Sequence, residues 1–333
     1  MRRAQGRWGP LGAAIFWSSI TSNIGRSGLC NVSAQDNMVV LCDYSHQRLY
    51  SQITLAIGAT IRRMGDEART DQRQLEAAPT LAKIQRLQDD RRYRDSSKLF
   101  FVEGVRNFVE AVDNSFSLDT LLYSEKLLIN PLARKLVRRL KRAGVPFARA
   151  SPEQFRQVSR TERASGVAAI LRQRVQNLEH ISPGKHQCWT ALNHIRSPGN
   201  LGSLLRTSAA TGAAGFILVG DSIDPFDPAA VRATMGALFK QTLVRASAEQ
   251  LRRWVKLHNL QVIGASPDGP EDYDRVRYTR PALLILGTER SGLTGEQRLL
   301  CQHIVRIPMV DGMDSLNVAV AGSLLMYQVF RSS

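Results

Sequence analysis

Three stretches in the C-terminal half put polar side chains where an apolar run ends, the place where a ligand can reach them. The first is Asn193-His-Ile-Arg-Ser-Pro-Gly-Asn-Leu-Gly-Ser-Leu-Leu-Arg-Thr207. Pro198-Gly199 turns the chain, and Asn200 is a candidate cap for the helix that follows, whose free amides suit an anion. Arg206 lies well inside that helix among small and apolar positions, so its guanidinium needs a partner, either a structural Asp or Glu or a ligand. The second stretch, Leu283 to Leu293, runs an apolar strand into Gly287, where a ligand can approach the backbone, and sets Glu289 at the strand tip. The third, Ile304 to Ala321, passes Ile307-Pro308-Met309 and reaches Asp314-Ser315-Leu316-Asn317. There Asp314-Ser315 reads as the cap of a final amphipathic helix, and Ser315 and Asn317 are both ordinary capping types. No Gly-Lys-Ser/Thr ending and no G-x-G-x-x-G occurs, which excludes the phosphate loop of nucleotide hydrolases and the dinucleotide fingerprint.

These stretches sit in a regular alternation. Apolar runs predict strands at Cys188–Ile195, Gly215–Val219, Leu260–Ala265, Ala282–Gly287 and His303–Pro308. Helical periodicity falls at Leu201–Thr211, Ala229–Phe239, Ala248–His258 and Leu316–Phe330. The fold class is therefore α/β, with a mostly parallel sheet over residues 186–333 covered on both faces and ligands expected at the carboxyl ends of its strands.

A smaller α/β unit precedes it over residues 80–172. It contains a basic helix at Leu81–Arg94, strands at Lys98–Val102 and Leu118–Tyr123, and a helix carrying Val105, Phe108, Val109 and Val112 on one face. Strand-like runs at Val145–Ala148 and Gly166–Leu171 complete it, and Arg172 to Lys185 reads as a linker. The helix opened by Asn130-Pro131 sorts Arg134, Lys135, Arg138, Arg139, Lys141 and Arg142 to one side and Leu132, Leu136, Val137, Leu140 and Ala143 to the other. Like charges four apart repel, and a phosphate backbone would relieve that repulsion. A solvated face can carry such a stripe too, but six cations without an acid favour RNA.

Bulk composition agrees. In 333 residues, 45 Lys and Arg against 29 Asp and Glu give a net charge of +16, which points to a polyanion: nucleic acid or an acidic membrane surface. No apolar run reaches the ~18 residues of a membrane helix. Cys30, Cys42, Cys188 and Cys301 form no C-x-x-C pair and the histidines no H-E-x-x-H, so no metal site is expected. Scattered thiols suit a reducing compartment, which makes the cytoplasm the expected location. Residues 1–75 read as a basic extension, with seven arginines and two acids in the first 64. It is disordered, a targeting segment, or a stretch upstream of a working start at Met64; a transit peptide would move the location to an organelle matrix.

Taken together, N-L-G-x-x-x-R-T at Asn200–Thr207, L-x-L-G-x-E-x-x-G-L at Leu284–Leu293 and I-P-M-x-x-x-x-x-S-L-N-V at Ile307–Val318 resemble the SPOUT superfamily, and within it the TrmH family of RNA ribose 2′-O-methyltransferases. Ser197 stands where many members carry Asp, Thr288 where Asn is frequent and Ala319 where Ser is common. The resemblance implies a trefoil-knot domain, a homodimer with active sites at the subunit interface, and S-adenosyl-L-methionine as cofactor without a metal. It implies that Gly287, Ile307 and Leu316 hold the cofactor, and that Arg206, Glu289, Ser315 and Asn317, with Asn200, surround the target ribose. In that reading Arg206 orients the ribose or its phosphate, Ser315 and Asn317 position the hydroxyl, and Glu289 braces Arg206 or its loop. The preceding unit is similar to a ribosomal-protein RNA-binding fold, which favours ribosomal over transfer RNA. The rival reading is a non-catalytic RNA-binding ribosome-assembly factor on the same fold.

Overall fold

Apolar residues alternate across the strands so regularly that two sheets each bury both faces. The computed structural model describes residues 73–289 and 291–332; of the basic extension read over residues 1–75, residues 1–72 lie outside the described residues, and Gln74–Leu75 at its end form a strand of the first sheet.

The first sheet begins with β1 (Gln74–Leu75), α1 (Ala77–Asp89), α2 (Arg91–Ser97), β2 (Leu99–Glu103), α3 (Val105–Asp113) and β3 (Leu118–Tyr123). It continues with α4 (Pro131–Arg142), β4 (Phe147–Arg149), α5 (Pro152–Val158) and β5 (Val167–Arg172), in the order β1-β4-β3-β5-β2. The single basic helix expected over Leu81–Arg94 is two helices, because the Asp90 side chain accepts the Tyr93 amide and starts a second one. Asn130 caps α4 by accepting the Ala133 amide. Arg134, Lys135, Arg138, Arg139 and Arg142 all lie exposed along α4. Leu132, assigned to the apolar side, is 51% exposed instead, because it sits in the first turn, beyond the core.

The second sheet collects β6 (Gln176–Asn177), β7 (Cys188–Asn193), β8 (Gly215–Val219), β9 (Thr242–Ala246), β10 (Gln261–Ala265), β11 (Glu271–Asp272), β12 (Ala282–Leu286) and β13 (His303–Arg306). Its order is β11-β13-β10-β12-β7-β8-β9-β6, and all its pairings are parallel. Its helices are α6 (Pro198–Ala210), α7 (Pro228–Ala233), α8 (Ala248–His258), α9 (Gly295–Leu300) and α10 (Val318–Arg331). The segment read as a linker is ordered: β6 pairs with β9, Leu178 and Ile181 are buried, and the Ile181 carbonyl accepts the Trp254 indole. The helix expected over Ala229–Phe239 stops at Ala233, where Met235 and Gly236 turn left-handed before a short 3-10 turn, Ala237–Lys240.

Alternation places Phe216, Leu218, Leu284 and Leu286 in one core and Ile217, Val219, Leu283 and Ile285 in another. The first of these cores also contains Phe100, Val102 and Phe108 from the N-terminal sheet, so the two α/β units share one apolar interior. Phe100 meets Phe226 at 4.7 Å between ring centroids and Phe116 meets Phe239 at 5.0 Å. Beside them the Arg94 guanidinium, 4% exposed, lies 2.7 Å from Asp224 and also donates to the Leu87 and Gln88 carbonyls.

Candidate active site

Parallel strands present their carboxyl ends together, and here the loops after β10, β12 and β13 enclose one cavity of about 480 Å³. Gly287 directly follows β12 and is buried. A Cβ there would sit 2.1 Å from the Gly292 carbonyl carbon, so only glycine lets this loop fold back on itself. The return is held by the Thr288 amide donating to the Gly292 carbonyl (2.9 Å) and the reverse bond (3.2 Å). Thr288 Oγ1 also accepts the Ser291 amide at 2.9 Å.

Gly287, Ile307 and Leu316, expected to hold a cofactor, all line this cavity, as do Glu289 and Ser315. Leu286, Met309 and Val318 add apolar wall. Asp268 and Arg298 form a wall that the motifs did not indicate, although the loop after a parallel strand such as β10 was a readable place to look. Hydrogen bonds from Arg298 and from the Ser266 hydroxyl hold the Asp268 carboxyl below the usual carboxylate range. A slot with apolar walls, glycine-lined backbone and carboxylates at hand fits an adenosyl group carrying a positive sulfur. Cys301, packed nearby against Gly264, has its thiol pushed up to about 11 by burial, and Cys188 to about 12, so neither is a ready nucleophile.

Asn200 joins the three motif loops. Its side-chain Nδ2 donates to Glu289 Oε1 at 2.5 Å, and its Oδ1 accepts from Asn317 Nδ2 at 3.1 Å. Asn200 is therefore not the cap of α6. Ser197 is, accepting the Asn200 amide at 3.3 Å, which frees the Asn200 side chain for the bridge. Likewise the final helix starts at Val318 rather than Leu316, and its cap is Asn317, which accepts the Ala319 and Val320 amides, rather than Asp314-Ser315. Ser315 stays exposed at the cavity rim.

Arg206 stands apart from this group. Six residues past Asn200 on one helix, it is turned roughly 120° away and displaced by about 9 Å along the axis. It is exposed, and among the described residues its side chain has no hydrogen bond or ion pair, so the structural Asp or Glu considered as its partner is not found. Glu289 is engaged by Asn200, not by Arg206. Arg206 instead shares a separate depression with Tyr327 of α10.

Two family models match the chain: the SpoU rRNA Methylase family over residues 188–327 and the MRM3-like substrate binding domain over residues 78–169. A 23S rRNA (uridine(2479)-2′-O)-methyltransferase of Streptomyces viridochromogenes is 30% identical over 254 residues, covering 74% of this chain and 88% of the relative. An AdoMet-bound rRNA methyltransferase from Sinorhizobium meliloti superposes with a TM-score of 0.71 at 30% identity, covering 78% of this chain and 98% of that one. The SpoU methyltransferase AviRb from Streptomyces viridochromogenes, in complex with AdoMet, gives 0.69 at 29% identity over 76% of this chain and 97% of that one.

Proposed function

The chain belongs to the SpoU rRNA methylase family, and from that premise we propose that its own residues direct methyl transfer from S-adenosylmethionine to an RNA ribose 2′-hydroxyl, with ribosomal RNA the favoured substrate. The observation that carries the reading is the Glu289–Asn200–Asn317 hydrogen-bonded chain, whose Glu289 end lines the cavity. A non-catalytic RNA binder has no need to lock three loops around such a slot.

When bound, the cofactor supplies an electrophilic methyl carbon, and the protein's task is to align a weak nucleophile with it. Gly287, Ile307 and Leu316, which line the slot, would hold the adenosyl group. Asn317 and the rim hydroxyl of Ser315 place the ribose hydroxyl. Glu289 braces Asn200, and through it Asn317. A guanidinium is a poor base, so Arg206 orients the ribose or its phosphate; as the methyl leaves sulfur, which becomes a neutral thioether, and bonds to the ribose oxygen, the hydroxyl proton passes to water at the exposed rim.

Arg206 lines none of this chain's cavity, which supports a second copy as the source of that arginine. Val320, Leu324 and Tyr327, spaced as one helical stripe on α10, are 49%, 38% and 47% exposed. Tyr327 and Arg206 line the same depression. A homodimer across this stripe buries the apolar residues and carries each Arg206 toward the other copy's cavity.

Two measurements test this. Arg206→Ala is expected to nearly abolish methylation while calorimetric titration with S-adenosylmethionine stays close to normal; equal loss of both makes the arginine structural. Mixing Arg206→Ala chains with Asn317→Ala chains then reports the source of the arginine. Activity returns in the mixed dimer only if each site takes its arginine from the other subunit.

A further inference from the structure

Where the N-terminal unit meets the methyltransferase half, a depression of about 500 Å³ gathers Arg106 of α3, Arg206 of α6 and Lys240 of the 3-10 turn against a single acid, Glu110. Lys240 Nζ lies 2.9 Å from Glu110 Oε1, which neutralises one cation and leaves the two guanidiniums. Both arginines are exposed, and among the described residues neither side chain has a hydrogen bond or an ion pair. Two like charges facing one depression without a counter-charge repel each other unless an anion joins them.

The backbone beside them is tightly held. Met235 and Gly236 take φ of 49° and 93°, and a Cβ on Gly236 would lie 2.7 Å from Glu110 Cγ. A non-glycine residue in the left-handed region persists only where its surroundings impose it, and such sites cluster where ligands bind. The turn packs against Glu110 of α3, and Arg106 on that helix lines the same depression as Arg206.

We propose that this seam seats a backbone phosphodiester of the substrate RNA next to the nucleotide that is methylated, with Arg106 and Arg206 as its donors. The proposal rests on the preceding assignment of Arg206 to the ribose, because a 2′-hydroxyl is bonded to the carbon beside the one that bears the 3′-phosphate. A group that reaches the hydroxyl therefore works within reach of that charge. Phosphate oxygens only accept hydrogen bonds, which suits a lining of guanidiniums with the exposed Ser203 hydroxyl. Arg106 belongs to the N-terminal unit, so the seat ties the substrate-binding half to the reacting ribose.

The test uses the full chain and a fluorescein-labelled oligoribonucleotide of mixed sequence, with affinity measured across a series of salt concentrations. Arg106→Ala is expected to weaken binding severalfold and to reduce the slope of log K against log salt by about 1. Affinity for S-adenosylmethionine stays unchanged, and KM for RNA rises more than kcat falls. Glu110→Gln keeps the side chain's shape but frees Lys240, so it tightens binding and steepens the slope; a merely structural glutamate predicts neither. Arg253→Ala, on α8 and outside the seam, is the control that changes neither slope. Unchanged slopes for Arg106→Ala and Glu110→Gln in a chain that still methylates overturn the phosphate seat alone. The expected slopes in a chain that transfers no methyl support the seat and overturn the reading of the active site.

Discussion

Asn200 does two things with one side chain, donating to Glu289 and accepting from Asn317, and among the described residues no other group bonds to both. Asn200→Ala is expected to lower kcat by about 100-fold, the scale of a misplaced reacting group, with cofactor affinity nearly intact. A comparable loss in cofactor affinity, read by calorimetry, would assign Asn200 to the slot instead. Gly287 behaves in the opposite way. Gly287→Ala drives a methyl group into the Gly292 backbone, so cofactor binding is lost and melting temperature falls together with it. Residue types were legible in the three motifs, and so was the importance of Gly287. What the motifs hid was who bonds to whom: Glu289 meets Asn200 because two loops distant in sequence end side by side.

At the level of elements, the capping residues are where local reasoning slipped by a turn. Ser197, Asn200, Asp314, Ser315 and Asn317 are all good caps by type, and only the φ and ψ at which each helix starts selects Ser197 and Asn317. The choice has a consequence, since Asn317 uses Oδ1 to cap α10 and Nδ2 to reach Asn200. Asn317→Ala should cost about 1 kcal/mol in denaturant unfolding through the lost cap, and methylation as well. Asn317→Asp keeps the cap oxygen but has no donor for Asn200, so stability holds while methylation drops. Equal stability loss in both variants would rule out a cap. Most strands were readable from apolar runs, with Gly215–Val219 recovered at its exact bounds. Periodicity does not reveal β9 (Thr242–Ala246), α5 (Pro152–Val158) or α9 (Gly295–Leu300), which are short and take their support from neighbours: β9 lies between β8 and β6, and the two helices lean on capping boxes.

Across the whole molecule, the two α/β units act through one interior rather than as beads on a linker. The Arg94–Asp224 pair is almost fully buried, at 4% and 10% side-chain exposure, so removing one partner strands a charge. Arg94→Ala is expected to cost about 3–5 kcal/mol in chemical denaturation, and the intact chain to unfold in one transition over residues 73–332. An Arg94→Ala/Asp224→Ala double variant that loses the sum of the single effects would show that the two are not coupled. The sequence by itself determined most of the strands and the longer helices, the cationic face of α4 and the motif loops that carry polar groups, because periodicity and residue type act over a turn or a strand. Tertiary structure alone decided that Asn200 bridges Glu289 and Asn317, that Arg206 faces away from its own cavity, and that Arg106 comes to lie beside it. Those outcomes depend on strand order and on packing between segments far apart in the chain, and local patterns contain no term for either.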